Sequence, residues 1–247
     1  MKRRRRVEWA NAMEKNDDYI LRVSNLGVKL QNQVILDNVS FKLRRGTALA
    51  VLGPNGAGKT VLFRALLNLV PHTGKIEWTE KVKIGYVPQN IAVDDIPITV
   101  KEFMNFKPGM NVDSSLTPVR LQSRQVSDKS LSILSGGQLR RVLIAWALAD
   151  NPDVLLFDEP TTGIDIDSEE PIYNTLNELK KKKKITILLI THDVHIVREY
   201  SDYLLAINKC ITFFGKSKEI MNPEIQKIIY GETVCRGTPD LQGETHD

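Results

Sequence analysis

Several short stretches of this sequence combine residue types and spacings suited to phosphate chemistry. Residues 53–60 read Gly-Pro-Asn-Gly-Ala-Gly-Lys-Thr and follow the apolar run Thr47–Leu52. Glycines let backbone N–H groups turn towards phosphate oxygens, a lysine reaches the outer phosphates, and a neighbouring hydroxyl suits Mg²⁺. Because a strand precedes this stretch and a helix is predicted from Lys59 to about Leu69, it matches a phosphate-binding P-loop. The residues that it assigns to nucleotide binding are Gly53, Pro54, Asn55, Gly56, Ala57, Gly58, Lys59, Thr60 and Val61.

A second apolar run, Val154–Phe157, ends in the acids Asp158 and Glu159. A carboxylate at the carboxyl end of a strand beside the P-loop strand can hold Mg²⁺, directly or through water. The next acid can polarise an attacking water molecule. Acids commonly follow strands, so this pattern is informative only together with the P-loop. The pair predicts a metal-binding and a water-activating carboxylate.

The stretch Leu134–Gln138 reads Leu-Ser-Gly-Gly-Gln and lies just before a predicted amphipathic helix, Gln138–Ala149. A serine followed by two glycines at a helix start is suited to an anion, which predicts a second phosphate-binding element. An ordinary Ser-Gly helix cap explains the same residues and is the more common explanation for this motif alone. The order of the motifs favours phosphate binding.

Length and composition favour one large α/β domain. The chain has 247 residues, of which 42% are apolar, so it can bury a substantial core. Strand, loop and helix in that order indicate a βαβ-type core, and Leu21–Val28 with Val34–Leu43 predict a hairpin before it. No apolar run approaches the roughly 20 residues that cross a bilayer. Any membrane role would therefore come through a partner.

The sequence outside this core changes character in three places. Residues 1–18 begin with Lys2–Arg6 and predict a solvated, disordered basic arm, with a nucleic-acid or anionic-lipid contact as the alternative. Residues of about 90–150, broken by prolines and Gly109, predict an inserted and mostly helical subdomain. Residues 231–247 predict a loose tail. Cys210 and Cys235 form no CxxC motif, which predicts a reducing compartment and no structural metal.

Six motifs in this order resemble the ATP-binding subunits of ABC transporters, over residues 19–230. They are the P-loop Gly53–Thr60, Gln89 in Val-Pro-Gln, the signature Leu134–Gln138, Asp158-Glu159, Asp165 in Thr-Gly-Ile-Asp, and Thr191-His192-Asp. The resemblance implies a P-loop NTPase core of the α/β class with an antiparallel β subdomain and an inserted helical subdomain. It also implies a homodimer in which each ATP lies between one P-loop and the opposite signature.

The resemblance also assigns roles to individual residues, with ATP and Mg²⁺ as the cofactors. Lys59 and Thr60 would hold phosphates and Mg²⁺, Asp158 would position the metal, Glu159 would be the general base, and His192 would contact the terminal phosphate. Gln89 would bind at the nucleotide and metal and relay motion to a membrane subunit. The residues that would come from the opposite protomer or act across the interface are Ser135, Gly136, Gly137, Gln138 and Asp165.

Within the family, three stretches are similar to zinc and manganese uptake systems: Lys83–Gln89, Pro97–Val100 and His192–Val197. This similarity implies an importer at the cytoplasmic face of the cell membrane, attached to integral membrane permease subunits and served indirectly by a solute-binding protein. The alternatives are a non-transport ABC ATPase acting on nucleic acid or ribosomes, and a catalytically idle partner. Nucleic acid is disfavoured because the chain has neither a second such domain nor a long coiled coil.

The chain departs from the family pattern at three positions. Leu30 stands where an aromatic ring usually stacks on adenine, Val61 replaces a hydroxyl residue, and Arg140 replaces a glutamine. These departures predict weaker nucleotide binding and looser base selectivity, without loss of the reaction.

Overall fold

The computed structural model of the chain describes residues 18–89, 97–160 and 166–231. Its strands are β1 (Tyr19–Leu30), β2 (Gln33–Arg44), β3 (Ala48–Leu52), β4 (Thr73–Trp78), β5 (Ile84–Val87), β6 (Val154–Asp158), β7 (Thr186–Ile190), β8 (Tyr203–Asn208) and β9 (Cys210–Lys216). Its α-helices are α1 (Lys59–Leu66), α2 (Val100–Asn105), α3 (Val112–Leu116), α4 (Ser123–Val126), α5 (Gly136–Leu148), α6 (Ile166–Lys183), α7 (Val194–Tyr200) and α8 (Pro223–Tyr230). Of the predicted arm and tail, only Asp18 and Gly231 lie within the described residues, and the Asp18 carbonyl accepts a hydrogen bond from the Arg45 N–H.

The first strands form a separate antiparallel sheet in the order β2-β1-β4. Gln31 and Asn32 both have positive φ, 46° and 63°, which is the backbone that joins tightly paired strands in a two-residue turn. This confirms the predicted hairpin. The third strand, β4, was not predicted, since its six residues carry little apolar alternation.

The larger sheet has the order β5-β6-β7-β3-β8-β9, and only its β8–β9 pair is antiparallel among the described strands. Strands β3, β6 and β7 are buried along their whole length, as parallel strands covered on both faces must be. The prediction that the acidic strand lies beside the P-loop strand is wrong, because β7 lies between β3 and β6. All three carboxyl ends still meet at one edge of the sheet.

Short helices α2, α3 and α4 and the longer α5 lie in the chain between β5 and β6. Val100, Met104 and Leu116 from the short helices are buried in one cluster with Val142 of α5. Lys107 ties this region together by donating to the Trp146 carbonyl at 2.8 Å and to Asp150 at 2.6 Å. The α/β fold with an antiparallel β part and an inserted helical part is thus confirmed.

Two further findings concern chemistry away from the sheet edge. Cys210, at the start of β9, is disulfide-bonded. Across residues 18–89, 97–160 and 166–231, no group of three or more His, Cys, Asp or Glu side chains is arranged so that it could bind a metal ion. In the same ranges, no helix has the length and apolar content needed to span a bilayer.

Candidate nucleotide-binding site

The P-loop connects the carboxyl end of β3 to the start of α1, with the backbone geometry that its glycines allow. Gly58 has φ 98°, and a Cβ there would lie 2.7 Å from Leu36 Cδ2, so a side chain would meet both strain and a clash. Gly58 is also the N-cap of α1 and offers no side-chain hydrogen bond. The first N–H groups of α1 are therefore presented without a side-chain cap, as a phosphate requires.

Lys59 lies folded back on the loop. Its side chain is 6% exposed, and Nζ donates to the Gly53 carbonyl at 2.8 Å and the Pro54 carbonyl at 3.0 Å. Burial lowers the pKa of Lys59, while the nearby charges of Glu159 and Asp158 act in the opposite direction. The ammonium group is thus held by neutral carbonyls, from which a phosphate group could draw it.

Asp158, at the end of β6, faces two hydroxyl groups. Thr60 Oγ1 donates to its Oδ1 at 3.2 Å, and the Tyr86 hydroxyl donates to its Oδ2 at 3.4 Å. Burial raises the pKa of Asp158 and also raises that of Tyr86, to about 12. A buried carboxylate next to a threonine hydroxyl supplies the oxygen ligands that Mg²⁺ prefers, so these residues fit that ion.

Glu159 is held in an uncommon backbone conformation, with φ 48°. Its N–H donates to the Ile190 carbonyl of β7 at 3.1 Å, which fixes the turn out of the sheet. The carboxylate then has a nitrogen atom on each side. His192 Nε2 lies 2.7 Å from Oε1, and Gln89 Nε2 lies 2.5 Å from Oε2. Strain of this kind, of order 1–3 kcal/mol, is kept where the surrounding structure fixes a functional side chain.

These residues open onto one cleft of about 810 Å³, within the size range of ligand sites. Its lining is Ile35, Asn55, Gly56, Gly58, Lys59, Thr60, Val61, Gln89, Glu159 and His192. A smaller cleft of about 340 Å³ lies at the opposite edge, where β6 and β7 begin. Ligands of such sheets bind at the carboxyl ends of the strands, which favours the larger cleft.

The structure brings together most of the residues predicted for the site. Asp158 joins the cleft through Thr60, Gly53 and Pro54 contribute the carbonyls that hold Lys59, and Ala57 is buried beneath the loop. Asp165 lies outside the described residues. None of the signature residues 135–138 lines the cleft within the described chain.

The signature forms the start of α5 as a capping box. Ser135 Oγ accepts from the Gln138 N–H, and the Gln138 side chain accepts from the Ser135 N–H, both at 3.2 Å. Ser135 and Gly136 are exposed, whereas Gly137 is buried. The simple helix-cap interpretation therefore describes this conformation, and exposure leaves the motif accessible to another molecule.

Three residues at or near the site were missed or read differently from the sequence. Ile35 reaches the cleft from β2, and Tyr86 reaches Asp158 from β5. Arg140, treated as a change that weakens nucleotide binding, instead donates to the backbone carbonyls of Pro88 and Gln89. The sequence offers one signal for each of two of these residues: Tyr86 lies three positions before Gln89, and Arg140 lies two positions after the signature.

Comparison with known proteins gives concordant results. Residues 36–162 match the family model described as ABC transporter. The zinc import ATP-binding protein ZnuC of Photorhabdus laumondii is 38% identical over 79% of this chain and 77% of its own. A nucleotide-free ATP-binding cassette from an ABC transporter superposes with TM-score 0.75 and 26% identity, over 87% of this chain and 100% of that one.

A dimeric ATP-binding cassette bound to ADP and Pi, in a post-hydrolysis state, is a more distant match. It superposes with TM-score 0.67 and 25% identity, over 80% of this chain and 98% of that one. The resemblance that the motif order indicated is confirmed, since the family match covers half of the chain. The chain belongs to the ABC transporter family, as one of its ATP-binding subunits.

Proposed function

We propose that this chain hydrolyses Mg-ATP in the cleft at the carboxyl edge of its large sheet and so drives a transporter that imports divalent metal ions. The observation that carries the proposal is the convergence of Lys59, Thr60 and Asp158 with the Glu159–His192–Gln89 group on one cleft. Phosphate binders and a carboxylate base within one cleft are what phosphoryl transfer to water requires.

Some residues of the site bind the phosphates and Mg²⁺, and others transfer the proton. Backbone N–H groups of residues 55–60 and the Lys59 ammonium group hold the phosphates, and Thr60 with Asp158 would hold Mg²⁺. When bound, Mg²⁺ supplies positive charge against the phosphate oxygens. Glu159 accepts a proton from water as the water oxygen bonds to the terminal phosphorus and the bond to the ADP oxygen breaks. His192 orients Glu159 and contacts the terminal phosphate.

The same proposal makes the working unit a homodimer. The signature helix start is exposed and stands apart from the cleft of its own chain, so its phosphate-binding capacity is available only to another copy. In that dimer Ser135, Gly136, Gly137 and Gln138 contact the ATP held by the opposite P-loop. Asp165 acts across the interface.

The relatives also support proposals for the cargo, the partners and the location. The similarity to a zinc import ATP-binding protein supports zinc as the first candidate cargo. Manganese is the second candidate, from the motif resemblance alone. We place the dimer at the cytoplasmic face of the cell membrane, bound to permease subunits that accept metal from a solute-binding protein. The alternative of an ATPase acting on nucleic acid or ribosomes has no support from the relatives.

A mixing experiment tests the shared site directly. Lys59→Ala removes the phosphate-binding lysine and Ser135→Arg blocks the signature, so each variant alone should be inactive. A mixture of equal parts forms heterodimers in which one of the two composite sites is intact, which restores about one quarter of the wild-type sites. ATP hydrolysis that stays at the level of the separate variants would refute the dimeric site.

A reconstitution experiment tests the transport role. The chain is pulled down from membranes and its integral partners are identified, then the assembly is placed in proteoliposomes and ATP hydrolysis is measured with zinc, manganese and magnesium alone. Stimulation of hydrolysis and metal uptake by zinc is the expected result. Recovery of ribosomal or nucleic-acid partners in place of a membrane subunit would favour the alternative.

A further inference from the structure

Arg140 lies on the second turn of α5, five residues after Ser135, and its side chain enters the protein instead of solvent. The residue is 6% exposed. Its two terminal nitrogens donate to consecutive backbone carbonyls, Nη1 to Pro88 at 2.6 Å and Nη2 to Gln89 at 2.8 Å. Among the residues that the structure describes, Arg140 forms no ion pair. The forked guanidinium group therefore serves to bind this backbone segment.

The two carbonyls that Arg140 binds lie just beyond the end of β5. Proline has no N–H group, so Pro88 cannot continue the sheet in the usual way, and carbonyls past the last ladder bond need another donor. Burying the guanidinium group is costly, and burial does lower the pKa of Arg140, while the nearby charge of Asp158 acts in the opposite direction. The hydrogen bonds to Pro88 and Gln89 offset this cost only in the geometry that holds the segment in place.

Gln89 connects this clamp to the proposed base. Its backbone carbonyl is bound by Arg140, while its side-chain Nε2 lies 2.5 Å from Glu159 Oε2. The side chain of Gln89 can reach Glu159 in this way only from a fixed backbone position. Gln89 thus contacts Arg140 through its backbone and Glu159 through its side chain, and so offers a direct route from the one residue to the other.

We infer that Arg140 is a positioning residue that fixes the backbone of Gln89, and thereby the orientation of Glu159, and that it couples this orientation to the signature helix. The inference rests on the proposed function of Glu159 as the base. Because Ser135 and Arg140 belong to the same helix, a shift of α5 towards a partner's nucleotide moves the clamp with it. Engagement of the signature and alignment of the base are then one event.

The competing interpretation gives Arg140 a purely structural role, in which it satisfies two carbonyls and fills space. Both interpretations predict some loss of thermal stability when Arg140 is replaced. Only positioning predicts that kcat per folded chain falls while KM for ATP is preserved, since the P-loop contacts are untouched. Only positioning predicts that the effect disappears when Gln89 has already lost its side chain.

The test measures ATP hydrolysis by the full chain carrying Arg140→Gln or Arg140→Lys, each also combined with Gln89→Ala. Arg140→Gln should lower kcat about tenfold with KM within about twofold, because a small misplacement of a reacting group has a large effect on rate. Lysine keeps a charged donor and should recover part of the loss. In the Gln89→Ala background, replacing Arg140 should change kcat less than about twofold.

Arg124→Gln is the matched control, since Arg124 is an exposed arginine of the same helical region. Circular dichroism and thermal unfolding give the folded fraction, so that kcat is expressed per folded chain. An active wild type with unchanged kcat in Arg140→Gln, or an equal loss with and without the Gln89 side chain, would overturn the inference alone. A wild type that does not hydrolyse ATP would overturn the proposed function, and the inference with it.

Discussion

Replacing Glu159 with glutamine removes one charge and should leave the shape of the site intact. In the structure Oε1 lies 2.7 Å from His192 Nε2 and Oε2 lies 2.5 Å from Gln89 Nε2. A glutamine can turn its oxygen to the Gln89 amide and its NH₂ group to His192, which accepts at Nε2 when its proton is on Nδ1. Both hydrogen bonds survive with a change of tautomer. The substitution therefore isolates the loss of the carboxylate from any loss of structure.

The size of the effect follows from what the amide lacks. A positioned general base contributes about 10²- to 10⁴-fold to rate, which is about 3–5 kcal/mol of activation free energy. Glu159→Gln should lower kcat by this factor. KM for Mg-ATP should stay within about threefold, because the P-loop contacts that bind the nucleotide are unchanged.

Phosphate release at saturating Mg-ATP measures kcat. Size-exclusion chromatography with ATP measures how much of the chain is dimeric. A chain that binds ATP without hydrolysing it should accumulate as a dimer. Glu199→Gln is the control, since Glu199 is an exposed glutamate whose described partner is Arg198. A Glu159→Gln variant that keeps more than about a tenth of the wild-type kcat would refute Glu159 as the base. Failure of the dimer to accumulate would refute the nucleotide-clamped dimer.

Further predictions concern Asp158 and the P-loop. Asp158→Asn should raise the Tm of the metal-free chain at pH 7, by about 2–4 °C for each kcal/mol recovered, and a lower Tm would contradict it. The sign follows because burial raises the pKa of Asp158. The protonated carboxyl group stabilises the fold at low pH, and this contribution is lost as pH rises through the folded-state pKa, so at pH 7 the buried charge destabilises the chain. Tyr86→Phe removes a hydrogen bond that lowers this pKa, so the acid limb of Mg²⁺ binding should move to higher pH in a titration series. Gly58→Ala should lower the free energy of unfolding in urea by about 1–3 kcal/mol more than Gly56→Ala. Both glycines have positive φ, but only at Gly58 would a Cβ meet neighbouring atoms.

The site was predictable wherever residue type and position at a strand end together determine the chemistry. The P-loop and the Asp158-Glu159 pair each follow an apolar run, and parallel strands bring such ends to one edge. Strand order was harder, because nothing in the sequence says that β7 lies between β3 and β6. Strand pairing is decided by the packing of whole elements, and local periodicity does not contain it.

Other features depend on contacts between parts of the chain that are distant in sequence. Ile35 becomes part of the cleft because the hairpin packs against Gly58, where the Ile35 carbonyl lies 3.0 Å from the position of a Cβ. Arg140 looked like a substitution within a nucleotide-binding motif, but its side chain points away from the signature into the segment of Gln89. A motif fixes which residues are adjacent along the chain, whereas these roles depend on which backbone lies next to them in space.

The two helix starts that would share a nucleotide differ in how their backbone donors are satisfied, and this difference sets an order of events. α1 begins at Gly58 without a side-chain cap, while α5 begins with the reciprocal cap of Ser135 and Gln138. A cap of this kind is worth about 1 kcal/mol, so phosphates that recruit Ser135 must first displace it. We therefore expect ATP to bind the P-loop of a single chain first and the opposite signature second, with the loss of the cap offset by charge-assisted hydrogen bonds to phosphate. Nucleotide binding would then precede dimerisation, and the fraction of dimer should rise with ATP concentration at fixed protein concentration.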